Sequence, residues 1–432
     1  MTADIHESPY KQDFPLLAGH PEIAFLDSAA TAQRPAAVLD AQRSFYETMN
    51  ANPLRGLYSL SVAATEAIED TRAAIAAHLG VAGADGSAGM AAKVRAGNQV
   101  VFGRNASEML NLVAHGLARD PAGTALGGRP LGPGDEVVIT IMEHHSNLIP
   151  WQQACAATGA TLRYLFPEKD GTITPEQIEA AITPACRIVS CTHVSNVLGI
   201  ETPVAAIAAR AHEVGAVCVV DSAQGVPHLG VDVNELGCDL LAFSAHKLGG
   251  PMGIGVLWGR PELLDAMPPF LTGGEMIDSV TQTGAVWAPV PQKFEAGTQD
   301  AAGIYATGAA LSYLHGIGMD VIEEREQALS AYLCERLKAL PFVEVYGPAE
   351  PTRHVGAVPF NVDGIHPHDV ASLLDSKNVC IRAGHHCAQP LLAWLGQEST
   401  CRASIAFYND ASDIDRLVEG LEFVWGIFHG NR

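Results

Sequence analysis

Between residues 99 and 258 the chain repeats one pattern: a short apolar run, then in most cases a helical stretch, then another apolar run. The runs fall at 99–102, 136–141, 161–166, 187–193, 216–220, 239–244 and 253–258. Runs this apolar are strands covered on both faces, and strand–helix–strand succession makes the sheet mainly parallel. Helical spacing of apolar residues marks 35–50 and 65–80, and a further helix at 203–214 closes on Gly215. From about residue 301 the pattern changes. A long helical tract, 304–340, leads into short strands at 343–346, 356–361, 380–382 and 403–407, with helices near 368–377 and 413–428. The expected division is an N-terminal segment 1–25 packed on the smaller lobe, a large α/β lobe 26–300 with a seven-stranded sheet, and a smaller α+β lobe 301–432. Two Gly-, Ala- and Pro-rich stretches, 82–97 and 120–134, read as mobile loops.

Composition narrows the partners. With 26 basic against 48 acidic residues the net charge is −22, which argues against nucleic acid or anionic membrane surfaces. No apolar run is long enough to span a bilayer and residues 1–14 carry no leader-like core, so the expectation is a cytoplasmic protein. Nine cysteines without a CxxC pair give no structural zinc site. Most of them lie in apolar surroundings and read as small core residues.

Two apolar runs end in chemistry. One finishes on Asp221; the other leads into Ser244-Ala245-His246-Lys247 and a glycine-rich turn. If the two strands adjoin, both groups lie at the sheet edge where open α/β folds bind ligands. A lysine for a Schiff base and an acid for a protonated pyridine nitrogen are the two protein groups that pyridoxal phosphate requires. Gly103-Arg104-Asn105-Ala106-Ser107-Glu108 joins a strand to a helix whose uncapped amides make an anion site, with Asn105 or Ser107 as cap and Glu108 closing a capping box. An ordinary capped helix would carry the same residues. In Arg382-Ala383-Gly384-His385-His386-Cys387-Ala388-Gln389-Pro390 a thiol sits on a loop between histidines, where positive charge favours its thiolate. A metal on His385, His386 and Cys387 lacks a fourth ligand at useful spacing.

Together these segments resemble the class V, fold-type I pyridoxal phosphate enzymes, and within them the SUF-type (group II) cysteine desulfurases. The resemblance runs from about Phe25 to the last helix. It implies that Lys247 carries the cofactor with Asp221 at the pyridine nitrogen, and that His144 of Met142-Glu143-His144-His145-Ser146-Asn147 stacks on its ring. It implies that the Ala106 amide, Ser107, Ser244 and His246 hold the phosphate, and that Thr298 of Phe294-Glu295-Ala296-Gly297-Thr298 reaches the phosphate of a neighbouring subunit in a homodimer. Asn196 of Thr192-His193-Val194-Ser195-Asn196-Val197-Leu198-Gly199 and Gln224 would meet the phenolic oxygen. Arg402, with Arg382 and Asn196, would hold the substrate carboxylate, and Cys387 would take sulfur from L-cysteine as a persulfide. The implied sulfur acceptor is a protein of the SUF system, for iron–sulfur cluster assembly.

One segment departs from the family. Where its members carry HRGxH, this chain has Leu54-Arg55-Gly56-Leu57-Tyr58. Both histidines are replaced, which bears on the substrate mouth and the acceptor rather than on the central chemistry. Selenocysteine lyase, another carbon–sulfur lyase, an aminotransferase, and an inactive sulfur-relay scaffold remain open on the same frame.

Overall fold

The computed structural model describes residues 4–54, 56–120 and 122–430. A two-residue strand β1 (Ala24–Phe25) precedes the main sheet. That sheet comprises β2 (Val100–Gly103), β3 (Glu136–Thr140), β4 (Thr161–Leu165), β5 (Cys186–Thr192), β6 (Val217–Asp221), β7 (Leu240–Ser244) and β8 (Gly255–Gly259). Their spatial order is β2-β8-β7-β6-β5-β3-β4. Only β8 runs against the rest, pairing antiparallel with β2 and β7. Strands β5, β6 and β7 are buried along their length apart from Arg187, as the apolar runs require, and helices cover both faces.

An exposed hairpin follows, β9 (Ile277–Val280) with β10 (Ala285–Trp287). The remaining strands are β11 (Val343–Val345), β12 (Ala357–Val362), β13 (Val379–Cys380), β14 (Arg382–Gly384) and β15 (Thr400–Ser404). Four of these form an antiparallel sheet, β11-β12-β15-β14, while β13 pairs with β1. The N-terminal segment lies against the turn after β15 and the helix that follows it, with Lys11 Nζ 2.8 Å from Asp413 and Phe14 packed on Phe407 and Tyr408.

Four expectations are corrected. The stretch 82–97 is not a loose loop: Met90–Gly97 is a helix on the flank of Ser59–His78, because Ala92 and Ala96 are small enough to bury there while Lys93 pairs with Asp70. In 120–134 the Asp120 carboxylate accepts from the Ala122 and Ala125 amides, and Leu126 and Leu131 are buried, so it too is tied down. The tract 304–340 is two helices, Ala301–Ile317 and Met319–Lys338, divided at Gly318, whose φ of +99° no helix continues. The strand expected at 403–407 lies at Thr400–Ser404, because Asn409 and Glu326 side chains take the Ala406 and Phe407 amides.

A buried ion pair ties these parts together. Arg72 of helix Ser59–His78 meets Glu295 through Nη1 and Nη2 (2.7 and 3.0 Å), and Glu295 also accepts the Phe102 amide of β2 at 2.7 Å. Glu295→Ala would leave the buried guanidinium with only the half-exposed Glu69 as an ion-pair partner. A loss of about 3–5 kcal/mol is expected in denaturant unfolding; a loss well below 1 kcal/mol would contradict this role.

Candidate active site

The carboxyl ends of β2, β3, β5, β6 and β7 open into a cleft of about 580 Å³, closed on its far side by the loop that carries Cys387. Register explains the gathering: Thr192 pairs with Asp221, and Asp221 with Ala242 two residues before the end of β7. The chain turns through Ala245–Lys247 immediately after Ser244, which puts Lys247 beside the carboxylate. Lys247, Asp221, His144, Asn196, Gln224, Ala106, Ser107, Ser244, His246, Arg382, Arg402 and Cys387 all line the cleft. Thr298 does not. It is exposed and lines a separate hollow with Arg104 and Phe270.

Burial acts on the two central charges in opposite senses. Desolvation lowers the Lys247 amine to about 8, against the pull of Asp221, which favours the ammonium. The Asp221 carboxyl is raised by burial, while Lys247 and the Ala223 amide, bound to its Oδ1 at 3.0 Å, draw it back. Among the described residues Lys247 Nζ has no hydrogen-bond or ion-pair partner, so the amine is held by its surroundings and free to react.

Around this pair the polar groups fall into two sets. At the start of helix Ala106–Ala118 the Asn105 side chain caps the Glu108 amide. Glu108 turns to the Arg104 amide instead of completing the expected capping box. The Ala106 amide donates to Ser244 Oγ (2.8 Å), and Ser107 Oγ lies 2.5 Å from Ser146 Oγ. Gly255, opposite Ser244, must be glycine, since a Cβ there would stand 2.4 Å from the Asn105 backbone. His246 leans on Thr31 at 3.1 Å and is lowered to about 4 by burial and by Lys247. This corner is a helix N-terminus with hydroxyls around it.

The second set faces the Cys387 loop. Arg402 Nη1 donates to the Asn196 carbonyl (2.8 Å), Nη2 is 3.5 Å from Asp27, and the buried Nε has no partner. Burial lowers this guanidinium to about 10, which leaves it charged at neutral pH. Arg382 is held by the same Asp27 carboxylate at 2.6 Å. Two carbonyls of the loop are claimed, with Asn196 Nδ2 donating to His386 and the His145 amide to Cys387, both at 2.7 Å, and the His386 ring Nε2 lies 2.9 Å from Thr400 Oγ1. His386 and Cys387 both adopt positive φ (50° and 53°), at about 1–2 kcal/mol each, and the Cys387 thiol is exposed. His144 Nδ1 accepts the Ser146 amide (3.1 Å), so the neutral ring carries its proton on Nε2. Burial and nearby Lys247 lower it to about 3. Gln224 donates to the Ala29 carbonyl at 2.8 Å.

Sequence reasoning missed Asp27, Thr31 and Ser146. Asp27 was visible as a lone carboxylate just after β1, in a run of small residues. Leu54 and Tyr58 stand at the approach to helix Ser59–His78 and line no part of the cleft within one chain; Arg55 lies outside the described residues. Among the described residues no group of three or more His, Cys, Asp or Glu is placed to hold a metal.

Fold and cleft are those of an α/β enzyme that works at the ends of a mainly parallel sheet, and residues 24–417 match the family model described as aminotransferase class-V. The chain belongs to that family. It is 45% identical to a probable cysteine desulfurase of Halalkalibacterium halodurans (95% of this chain, 96% of the relative) and 43% identical to one of Streptomyces coelicolor (97% of each). Among solved structures it superimposes on a cysteine desulfurase of Thermococcus onnurineus NA1 with a TM-score of 0.87, 35% identity and coverage of 98% and 100%. For one of Escherichia coli the values are 0.85, 34%, 97% and 98%.

The cofactor of this family is pyridoxal phosphate, and the cleft fits it. A helix N-terminus with hydroxyls suits a phosphate, a buried carboxylate suits a pyridinium, and an unpartnered amine stands beside it. Because the ammonium of Lys247 is not nucleophilic, uptake of pyridoxal phosphate by the apoprotein is expected to quicken as pH rises through about 8. Asp221→Asn removes the charge that favours the ammonium and is expected to move that midpoint lower. A midpoint left near the ordinary lysine value, or a shift upward in the variant, would contradict the geometry.

Proposed function

We propose that this protein is a pyridoxal phosphate-dependent cysteine desulfurase that converts L-cysteine to L-alanine and keeps the sulfur on Cys387. The observation that carries the reading is the exposed Cys387 thiol lining the same cleft as the desolvated Lys247 amine and the half-free Arg402. The relatives at 43–45% identity that bear the name support it.

In this reading Arg402 receives the substrate α-carboxylate on its free Nε edge, with Asn196 and Arg382 beside it. Lys247, whose neutral form is plentiful near pH 8, removes the proton from Cα. Bound pyridoxal phosphate supplies the electron sink for the charge left on that carbon. Asp221 would serve the pyridine nitrogen, and the neutral His144 ring would pack on the cofactor. Ala106, Ser107, Ser244 and His246 would hold the phosphate, and Gln224 and Asn196 would serve the phenolic oxygen. The Cys387 thiolate attacks the substrate sulfur. An S–S bond forms, the Cβ–S bond breaks, and its electron pair passes to the carbon skeleton, which is reprotonated to alanine. The enzyme is left with a persulfide and no external oxidant is consumed.

The same reading assigns the chain a homodimer, in which Thr298 completes the partner subunit's phosphate site, a cytoplasmic setting, and a SUF-type acceptor serving iron–sulfur cluster assembly. Thr298 lies outside its own cleft, and the hairpin beside it exposes Val280, Val286 and Trp287, which supports an interface there. No helix of the described residues is long and apolar enough to cross a membrane.

Supplied with L-cysteine and a reductant, the protein is expected to release alanine and sulfide in equal amounts. Cys387→Ala is expected to lose both while retaining the yellow cofactor. Pyruvate and ammonia as products, or full activity in that variant, would overturn the assignment. Arg402→Lys, which cannot present two donors in one plane, is expected to raise KM for cysteine about tenfold or more. An unchanged KM would remove Arg402 from the carboxylate site.

A further inference from the structure

Beneath the cleft lies a carboxyl group that the proposed reaction does not use. Glu143, at 1% exposure, immediately precedes His144. The buried Glu295 pairs with Arg72 and the buried Glu326 meets the His228 ring, each at 2.7 Å. Among the described residues Glu143 has none in ion-pair range. Burial instead raises it to about 8, and the charge of Asp221 pushes the same way. Its contacts come from three elements. Oε1 meets Thr140 Oγ1 at the end of β3 (2.5 Å) and accepts the Thr192 amide at the end of β5 (2.9 Å). Oε2 accepts from Asn147 Nδ2 at 2.6 Å.

The direction of these bonds fixes the residue type. Asn147 Oδ1 accepts from Trp151 Nε1 (3.0 Å) and Ser190 Oγ (2.7 Å), so its nitrogen is committed to facing Glu143. The Thr192 amide is a donor by nature. Two fixed donors therefore converge on two oxygens, which a carboxyl group satisfies and a carboxamide cannot. Both oxygens sit at functional positions. Thr192 pairs in register with Asp221, and the turn 143–147 carries His144, whose ring is set by Ser146, itself hydrogen-bonded to Ser107.

We infer that Glu143 is a positioning residue for the cofactor: one buried carboxyl locks the end of β3 to the end of β5, and so fixes together the ring of His144 on one side and the strand end bearing Asp221 on the other. The inference rests on pyridoxal phosphate occupying this cleft, and not on cysteine being the substrate.

The test compares holoenzymes by two readouts that do not depend on turnover: the rate of pyridoxal phosphate release on dilution, and the visible circular dichroism that the site imposes on the bound cofactor. In Glu143→Gln an amide N–H faces another donor, and release is expected to quicken about tenfold with a marked loss of the dichroic band. Adding Asn147→Asp to that variant reverses donor and acceptor across the contact, and is expected to restore both readouts toward the unaltered protein. Thr140→Val removes the hydroxyl that joins Glu143 and the Met142 amide at similar volume, and is expected to move both readouts the same way by a smaller factor, which keeps the test decisive if Glu143→Gln alone does not fold. Unchanged release and dichroism in these variants, even with a lowered melting temperature, would reduce Glu143 to a packing role and overturn the inference. Absence of cofactor from the unaltered protein would instead sink the reading of the cleft itself.

Discussion

The structure depends on placing an amine and a carboxylate at the ends of neighbouring strands, on the wall of a cleft that desolvates both. Each group alone would be driven toward its neutral form, the lysine downward and the aspartate upward. Side by side they hold each other part-way, and the lysine that results is charged enough to dock yet neutral enough to act as a base near pH 8. A parallel sheet with both faces covered provides this without special devices, because strand ends are its only openings. The apolar runs that build β5, β6 and β7 are therefore also what tunes the site.

The opposite wall follows a different principle. Cys387 is exposed, and its loop is held in an unfavourable backbone conformation by two main-chain carbonyl bonds, from Asn196 and from the His145 amide. Both anchors come from loops that also line the cofactor cleft. In the proposed reaction a thiol must attack inside the cleft and later deliver sulfur outside it. A loop anchored at its base, with an exposed thiol at its tip, suits both duties better than a buried cysteine would. Burial raises the thiols of Cys155, Cys186, Cys334 and Cys401, which keeps those residues inert.

Much of this was legible in the chain. The seven apolar runs locate the main sheet to within a residue or two, because a strand buried on both faces writes its burial directly into composition. Asp221, Lys247 and the GHHC loop stood out because each places an ionisable group at the end of an apolar or glycine-bounded segment. The misreadings share a cause. Residues 82–97 looked like a loop because Ala and Gly are weak signals, yet small residues are what permit a helix to lie close to Ser59–His78. The end of β15 was misplaced because distant side chains, Glu326 and Asn409, claim the backbone amides that would have extended it. Asp27, which holds Arg382 and approaches Arg402, acquires its meaning only once β1 is paired with β13. Glu143 reads as part of a histidine turn until its three partners are seen.

The central claim is that the Lys247 amine, and no other, meets an aldehyde cofactor in this cleft. Reducing the yellow holoenzyme with borohydride and mapping the labelled peptide by mass spectrometry tests it directly. The account predicts a single pyridoxyl phosphate adduct on Lys247, in the peptide that follows β7. Labelling of a different lysine, or the absence of any labelled peptide from coloured protein, would contradict it.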